Sequence, residues 1–133
     1  MSRDVYPFDS RPVPGLGDFG EDEEWIEFDD YQRAAQRTAQ YPKEMGLYYT
    51  ALGLAGEAGE LCNGIKKILR DDNGRMSKER GEALVLELSD VLWYCAAIAT
   101  ELGVPLSRVA RLNLEKLASR KKRGVIGGSG DGR

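Results

Sequence analysis

The sequence predicts an all-α protein, a bundle of four to five helices that assembles into an oligomer. Three observations carry this. No segment alternates polar and apolar residues with period two for long enough to make a strand. Four stretches carry apolar residues near helical spacing and are bounded by capping or breaking residues. The third stretch is unusual: residues 83–100 are eighteen positions with only two charges, Glu87 and Asp90. A helix that is apolar nearly all the way round is covered on several faces. One small domain cannot cover them all, so a second subunit is expected on one.

The elements follow in order. Asp29, with Gln32 three residues later, reads as a capping box that opens a first helix over residues 30–40. Pro42 ends it. The second helix spans residues 47–69, with Ala51, Ala55, Leu61, Ile65 and Ile68 near helical spacing. Asp71, Asp72, Asn73 and Gly74 read as a loop. Ser77 caps a third helix that runs to Leu102, with Gly103 as its terminator and Pro105 just beyond. The fourth helix spans residues 106–122, and Gly124 ends it.

The length of 133 residues fits one domain, and 41% hydrophobic with 31% charged residues is a packed rather than a disordered composition. Residues 1–27, with Pro7, Pro12, Pro14 and an acidic run, read as an extended arm. Residues 28–124 form the helical domain, and residues 125–133, rich in glycine, form a flexible tail. Charge is divided unevenly: residues 1–65 carry 13 acids and 5 bases, whereas residues 66–133 carry 9 acids and 14 bases. The acidic arm and the basic last helix either neutralise one another or are simply solvated. The basic end lacks interleaved aromatics and the pI is about 5.1, so nucleic acid is not an expected partner.

Cys62 and Cys95 form no CxxC and read as buried free thiols of a reducing compartment. The N-terminal stretch lacks the apolar centre of a signal peptide. The longest uninterrupted apolar run, residues 91–99, is shorter than the ~20 residues of a membrane span. A cytoplasmic protein without a membrane partner is expected.

There is no histidine. This excludes Ser/His/Asp and Cys/His nucleophilic sites, imidazole-ligated zinc and ferritin-like di-iron centres. Chemistry must therefore come from carboxylates, Lys, Tyr, hydroxyls or an oxygen-bound metal. The carboxylates are placed for it. Glu87 and Asp90, three apart, project from one face of a nearly uncharged helix. The second helix offers Glu57 and Glu60 at the same spacing, among Gly53, Gly56 and Gly59. Each of those glycines costs about 1 kcal/mol of helix stability relative to alanine. Close backbone approach is the expected return. Two antiparallel helices with facing acid pairs would bring four carboxylates to one point, an oxygen cage suited to Mg²⁺. The alternative is an interhelical ion-pair network with Lys66, Lys67 or Arg70. Those bases lie beyond Glu60, where they could instead face a phosphate.

These residues resemble a known family. Glu57-x-x-Glu60, twenty-six intervening residues, then Glu87-x-x-Asp90 is similar to the signature of the MazG-like all-α nucleoside triphosphate pyrophosphohydrolases. The surrounding blocks match too: LGLAGEAGEL at 52–61, ELSDVLWY at 87–94, FDDYQ at 28–32 with Thr38, and Asn113, Lys116 and Arg120. The resemblance covers residues 28–123. It implies Mg²⁺-dependent hydrolysis, with Mn²⁺ as a substitute, of an NTP or dNTP to the monophosphate and pyrophosphate. It implies Glu57, Glu60, Glu87 and Asp90 as metal ligands, with Glu57 or Glu60 as the base that takes a proton from the attacking water. Asn113, Lys116 and Arg120 share one helical face and match a family motif that contacts phosphate or sugar. Lys67, seven after Glu60, is a further phosphate candidate, and Tyr94 matches a position where relatives stack an aromatic on the nucleotide. The resemblance implies a homo-oligomer, a tetramer or alternatively a dimer. Two alternatives remain: phosphoribosyl-ATP pyrophosphohydrolase, and a non-catalytic helical module that retains the fold.

Overall fold

The computed structural model describes residues 13–17 and 24–127. The acidic run between them and the last residues lie outside the described residues, as do most of the expected arm and tail. Four α-helices follow in order: α1 (Phe28–Gln36), α2 (Gly46–Asp71), α3 (Lys78–Glu101) and α4 (Leu106–Lys122). A 3₁₀ turn, Lys43–Met45, leads into α2. No strand occurs among the described residues. The all-α expectation holds, and the α-helices among the described residues number four.

The long pair α2 and α3 forms an antiparallel hairpin, with α1 and α4 packed mainly against α3 and each other. The hairpin turn uses the expected loop: Asn73 and Gly74 adopt φ of 53° and 73°, and the Gly74 N–H returns to the Ile68 carbonyl at 3.1 Å. Ser77 caps α3 as expected, its Oγ accepting from the Arg80 N–H at 3.2 Å. Gly103, at φ 68°, ends α3, and the Val104 N–H closes onto the Ala99 carbonyl at 2.8 Å. Gly124 plays the same part after α4, at φ 70°. Only glycine, or asparagine at some cost, occupies this left-handed region readily.

The capping box at the start of α1 is corrected. Glu27 is the N-cap of α1, and it makes no side-chain cap bond. Asp29 and Gln32 cap α4 instead. The Leu106 N–H donates to Gln32 Oε1 at 2.7 Å, and the Ser107 N–H and Oγ donate to Asp29 Oδ1 and Oδ2 at 2.9 and 2.7 Å. Gln32 Nε2 in turn donates to Thr100 Oγ1 and the Val104 carbonyl at 3.1 and 3.0 Å. Pro105, the N-cap of α4, has no side-chain acceptor to offer, so α1 side chains satisfy the orphan donors of Leu106 and Ser107. The Ser107 hydrogen bonds hold the Asp29 carboxyl below its ordinary pKa. Helix α1 also stops earlier than expected, at Gln36, where Thr38 Oγ1 donates to the Ala35 carbonyl at 2.7 Å.

Few residues are buried. Ala35, Ile68, Ala96, Ala97, Ala99 and Leu106 make the apolar core, with Thr50 the buried polar residue. Large apolar side chains stay outside: Leu52 is 75% exposed and Leu86 67%. An eighteen-residue stretch of α3 is long and apolar enough to cross a membrane, which the shorter uninterrupted run 91–99 does not reveal, and 17% of that stretch is buried in this chain. Cys95 is half-buried, and burial pushes its thiol pKa up; Cys62, expected to be buried, is exposed.

Candidate active site

Close approach in the hairpin depends on glycines, at Gly53 and Gly64 along its length and at Gly46, against Glu101, at its far end. A methyl group at Gly53 would lie 2.1 Å from Tyr94 Cε1, and one at Gly64 would lie 2.6 Å from Leu84 Cδ2. Of the three glycines singled out in the sequence, only Gly53 serves this purpose; Gly56 and Gly59 meet nothing within 4 Å. Gly64 is a contact that the spacing did not reveal. Because the helices run antiparallel, Gly53 opposite Tyr94 and Gly64 opposite Leu84 fix the register. Glu57 then falls level with Asp90, and Glu60 level with Glu87.

Carboxylate oxygens of Glu57, Glu87 and Asp90 all lie within 4.8 Å of one another. Glu60 is not in this group. It lines an adjoining cleft of about 150 Å³ with Glu87, Lys67, Arg80 and the apolar side of the hairpin. The expected cage of four is therefore three converging carboxylates with a fourth one turn away. None of the four forms an ion pair among the described residues. The interhelical network is not made: Arg70 is held by its neighbour Asp71, with Nε to Oδ1 at 2.6 Å and Nη2 to Oδ2 at 2.8 Å. Three like charges without a cation form a donor set made only of oxygen, which suits a hard divalent ion such as Mg²⁺ or Mn²⁺.

Two phenols border the acids. Burial, then the Asp90 charge, raises the Tyr31 pKa. Burial, then Tyr49 and Glu57, raises that of Tyr94. The Tyr94 ring lies against Gly53 and meets Trp93 edge-on, with centroids 4.9 Å apart. Within this chain Tyr94 is a packing element of the α2–α3 contact. Tyr41 stacks on Tyr49 at 5.3 Å and donates to Glu101 Oε1 at 2.6 Å, and Trp93 Nε1 donates to Thr38 Oγ1 at 2.9 Å.

The basic face of α4 is separate from the carboxylates. Asn113 and Lys116 line a hollow with Val109 and Leu112. Arg120 is half-buried at the end of the same helix. Another cleft, of about 450 Å³, lies where α1 meets the start of α4, but its Asp29 and Gln32 are committed to capping. Arg80 was not anticipated. Its signal was present: Arg80 precedes Glu87 by seven residues as Lys67 follows Glu60 by seven, so an antiparallel hairpin sets the two bases level.

Residues 48–125 match the MazG nucleotide pyrophosphohydrolase domain, which spans both acid pairs and the basic face of α4. The chain belongs to the MazG family. It is also 52% identical over 111 residues to the gene 37 protein of Mycobacterium phage L5, covering 79% of this chain and 97% of the phage protein. No solved structure matches significantly. The carboxylate cluster lies within the region that matches this family of nucleotide pyrophosphohydrolases.

Proposed function

We propose that this MazG protein is a Mg²⁺-dependent nucleoside triphosphate pyrophosphohydrolase, cleaving an NTP or dNTP to the monophosphate and pyrophosphate. The observation that carries the reading is the convergence of Glu57, Glu87 and Asp90 oxygens within 4.8 Å, with no ion pair to a base among the described residues. These three would hold the metal. When bound, a divalent ion supplies polarisation of a water and neutralisation of phosphate charge. Glu60, next to the cluster but outside it, is the better-placed acceptor for the proton of the water that attacks the α-phosphorus, because its oxygens are not committed to the ion. Lys67 faces the phosphates from the same cleft. Asn113, Lys116 and Arg120 bind phosphate or sugar from α4, and Tyr94 borders the nucleotide while bracing α2 against α3.

The protein acts as a homo-oligomer in the cytoplasm. Support comes from what one chain leaves uncovered: the exposed side chains of Val85, Leu88 and Leu92, which line an apolar hollow of about 430 Å³ with Val91 and Cys95. Gly56 and Gly59 point the same way, since their helical cost has no return within the chain. A lipid environment would be unfavourable for Glu87 and Asp90 midway along α3. A tetramer is the leading arrangement and a dimer the second.

The test is a nucleotide panel with and without Mg²⁺, with products identified. Monophosphate and pyrophosphate, formed only with the metal, are expected. Orthophosphate and diphosphate, or full turnover after exhaustive chelation, would overturn the reading. Light scattering that shows an active monomer would overturn the oligomer.

A further inference from the structure

Arg80 is the charged group of the Glu60–Glu87 cleft that the mechanism above leaves without a part. It lies in the same cleft as Glu60, Lys67 and Glu87. Its Nε donates to Asp72 Oδ2 at 2.9 Å, a bond from the first residue after α2 to the first turn of α3. Arg70 spends both an Nε and an Nη on its carboxylate, whereas Arg80 is held through Nε alone. Among the described residues no hydrogen bond uses the Arg80 Nη nitrogens, so the outer side of its fork is available. Lys67, level with Arg80 on the opposite helix, makes no ion pair among the described residues either. Helical side chains lean toward the N-terminus of their helix. Lys67 therefore leans toward Glu60, which lies seven residues, about 10 Å, back along α2.

The hairpin thus carries charge in order: carboxylates at the level of Glu57 and Asp90, then Glu60 and Glu87, then two cations. With a divalent ion held by the carboxylates to offset their charge, a substrate with its α-phosphate there and its remaining phosphates along the cleft would meet positive charge at each end. We propose that Lys67 and Arg80 form a clamp for the pyrophosphate portion of the triphosphate, with Asp72 as the residue that positions Arg80. This rests on reading the carboxylate cluster as the place of α-phosphate attack. Arginine suits the role because its planar fork offers paired donors to phosphate oxygens while one edge stays tethered.

The experiment is calorimetric titration of the full chain with inorganic pyrophosphate in Mg²⁺, beside KM and kcat for a triphosphate. Arg80→Gln is expected to weaken pyrophosphate binding at least tenfold and to raise KM, with the affinity for nucleoside monophosphate and the melting temperature unchanged. Asp72→Asn is expected to shift pyrophosphate affinity in the same direction by less. If Arg80→Gln does not fold, Arg80→Lys, which keeps the charge and loses the fork, carries the test through the same pyrophosphate titration. Unchanged pyrophosphate affinity in a folded Arg80 variant overturns the clamp while hydrolysis by the wild type stands. Arg80-dependent pyrophosphate binding by a wild type that hydrolyses no nucleotide supports the clamp and overturns the proposed reaction instead.

Discussion

Replacing Asp90 by Asn should raise the melting temperature of the metal-free protein and remove most of its response to Mg²⁺. The magnitude follows from the geometry. Glu57, Glu87 and Asp90 bring oxygens within 4.8 Å of one another, with no base among them. Two unit charges at that separation repel by about 0.9 kcal/mol in a water-like dielectric. The substitution removes two of the three repulsions, up to about 2 kcal/mol, and salt reduces this to about 1 kcal/mol. For a domain of this size that is a rise of about 4 °C. Asn nearly preserves the shape, so packing is not at issue. Mg²⁺ at a hundred times its dissociation constant should stabilise the wild type by about 2.7 kcal/mol, roughly 10 °C. The mutant, short of one charged ligand, should show little of that increment and little turnover. The assay is a pair of thermal melts, in EDTA and in Mg²⁺, for each protein. A mutant that melts well below wild type in EDTA, with neither protein responding to Mg²⁺, would refute the argument, because the acids would then be holding the bundle together.

Four further outcomes are expected. Glu60→Gln should abolish most turnover yet keep the Mg²⁺-induced rise in melting temperature; loss of that rise would make Glu60 a ligand rather than the base. Gly53→Ala should destabilise by about 1–3 kcal/mol from overpacking against Tyr94, partly offset by about 1 kcal/mol of helix propensity, whereas Gly56→Ala should stabilise an isolated chain. Urea melts decide both, and a Gly56→Ala protein that loses its oligomeric state on light scattering would place that glycine in the interface. Because Asp29 titrates below its ordinary value in the folded chain, its contribution is full above about pH 4 and is lost as pH falls through that lower folded value. Urea midpoints between pH 2.5 and 6 should therefore fall less steeply for Asp29→Asn than for wild type, and parallel acid limbs would count against the α1–α4 cap.

Much of this protein was legible one residue at a time. Ser77, Gly103 and Gly124 marked helix ends because capping is local chemistry, decided within four residues by side-chain oxygens and by the φ a glycine permits. The two acid pairs could be placed on helical faces by spacing alone, and the family blocks around them identified the domain. The tertiary structure decided which groups meet. Asp29 and Gln32 have the spacing of a local cap, yet their oxygens serve α4, more than seventy residues on, because Pro105 left the start of that helix needing acceptors that α1 was close enough to supply. Gly53, Gly56 and Gly59 look equivalent in sequence, but only Gly53 lies under a Tyr94 ring. Glu57 and Glu60 look like one pair, but a helix turns by about 100° per residue, so three positions put them 60° apart. One joins Glu87 and Asp90, and the other faces the cleft. Spacing along a chain fixes the angle between neighbours on one helix. Only the register and distance of the second helix fix which of them it meets.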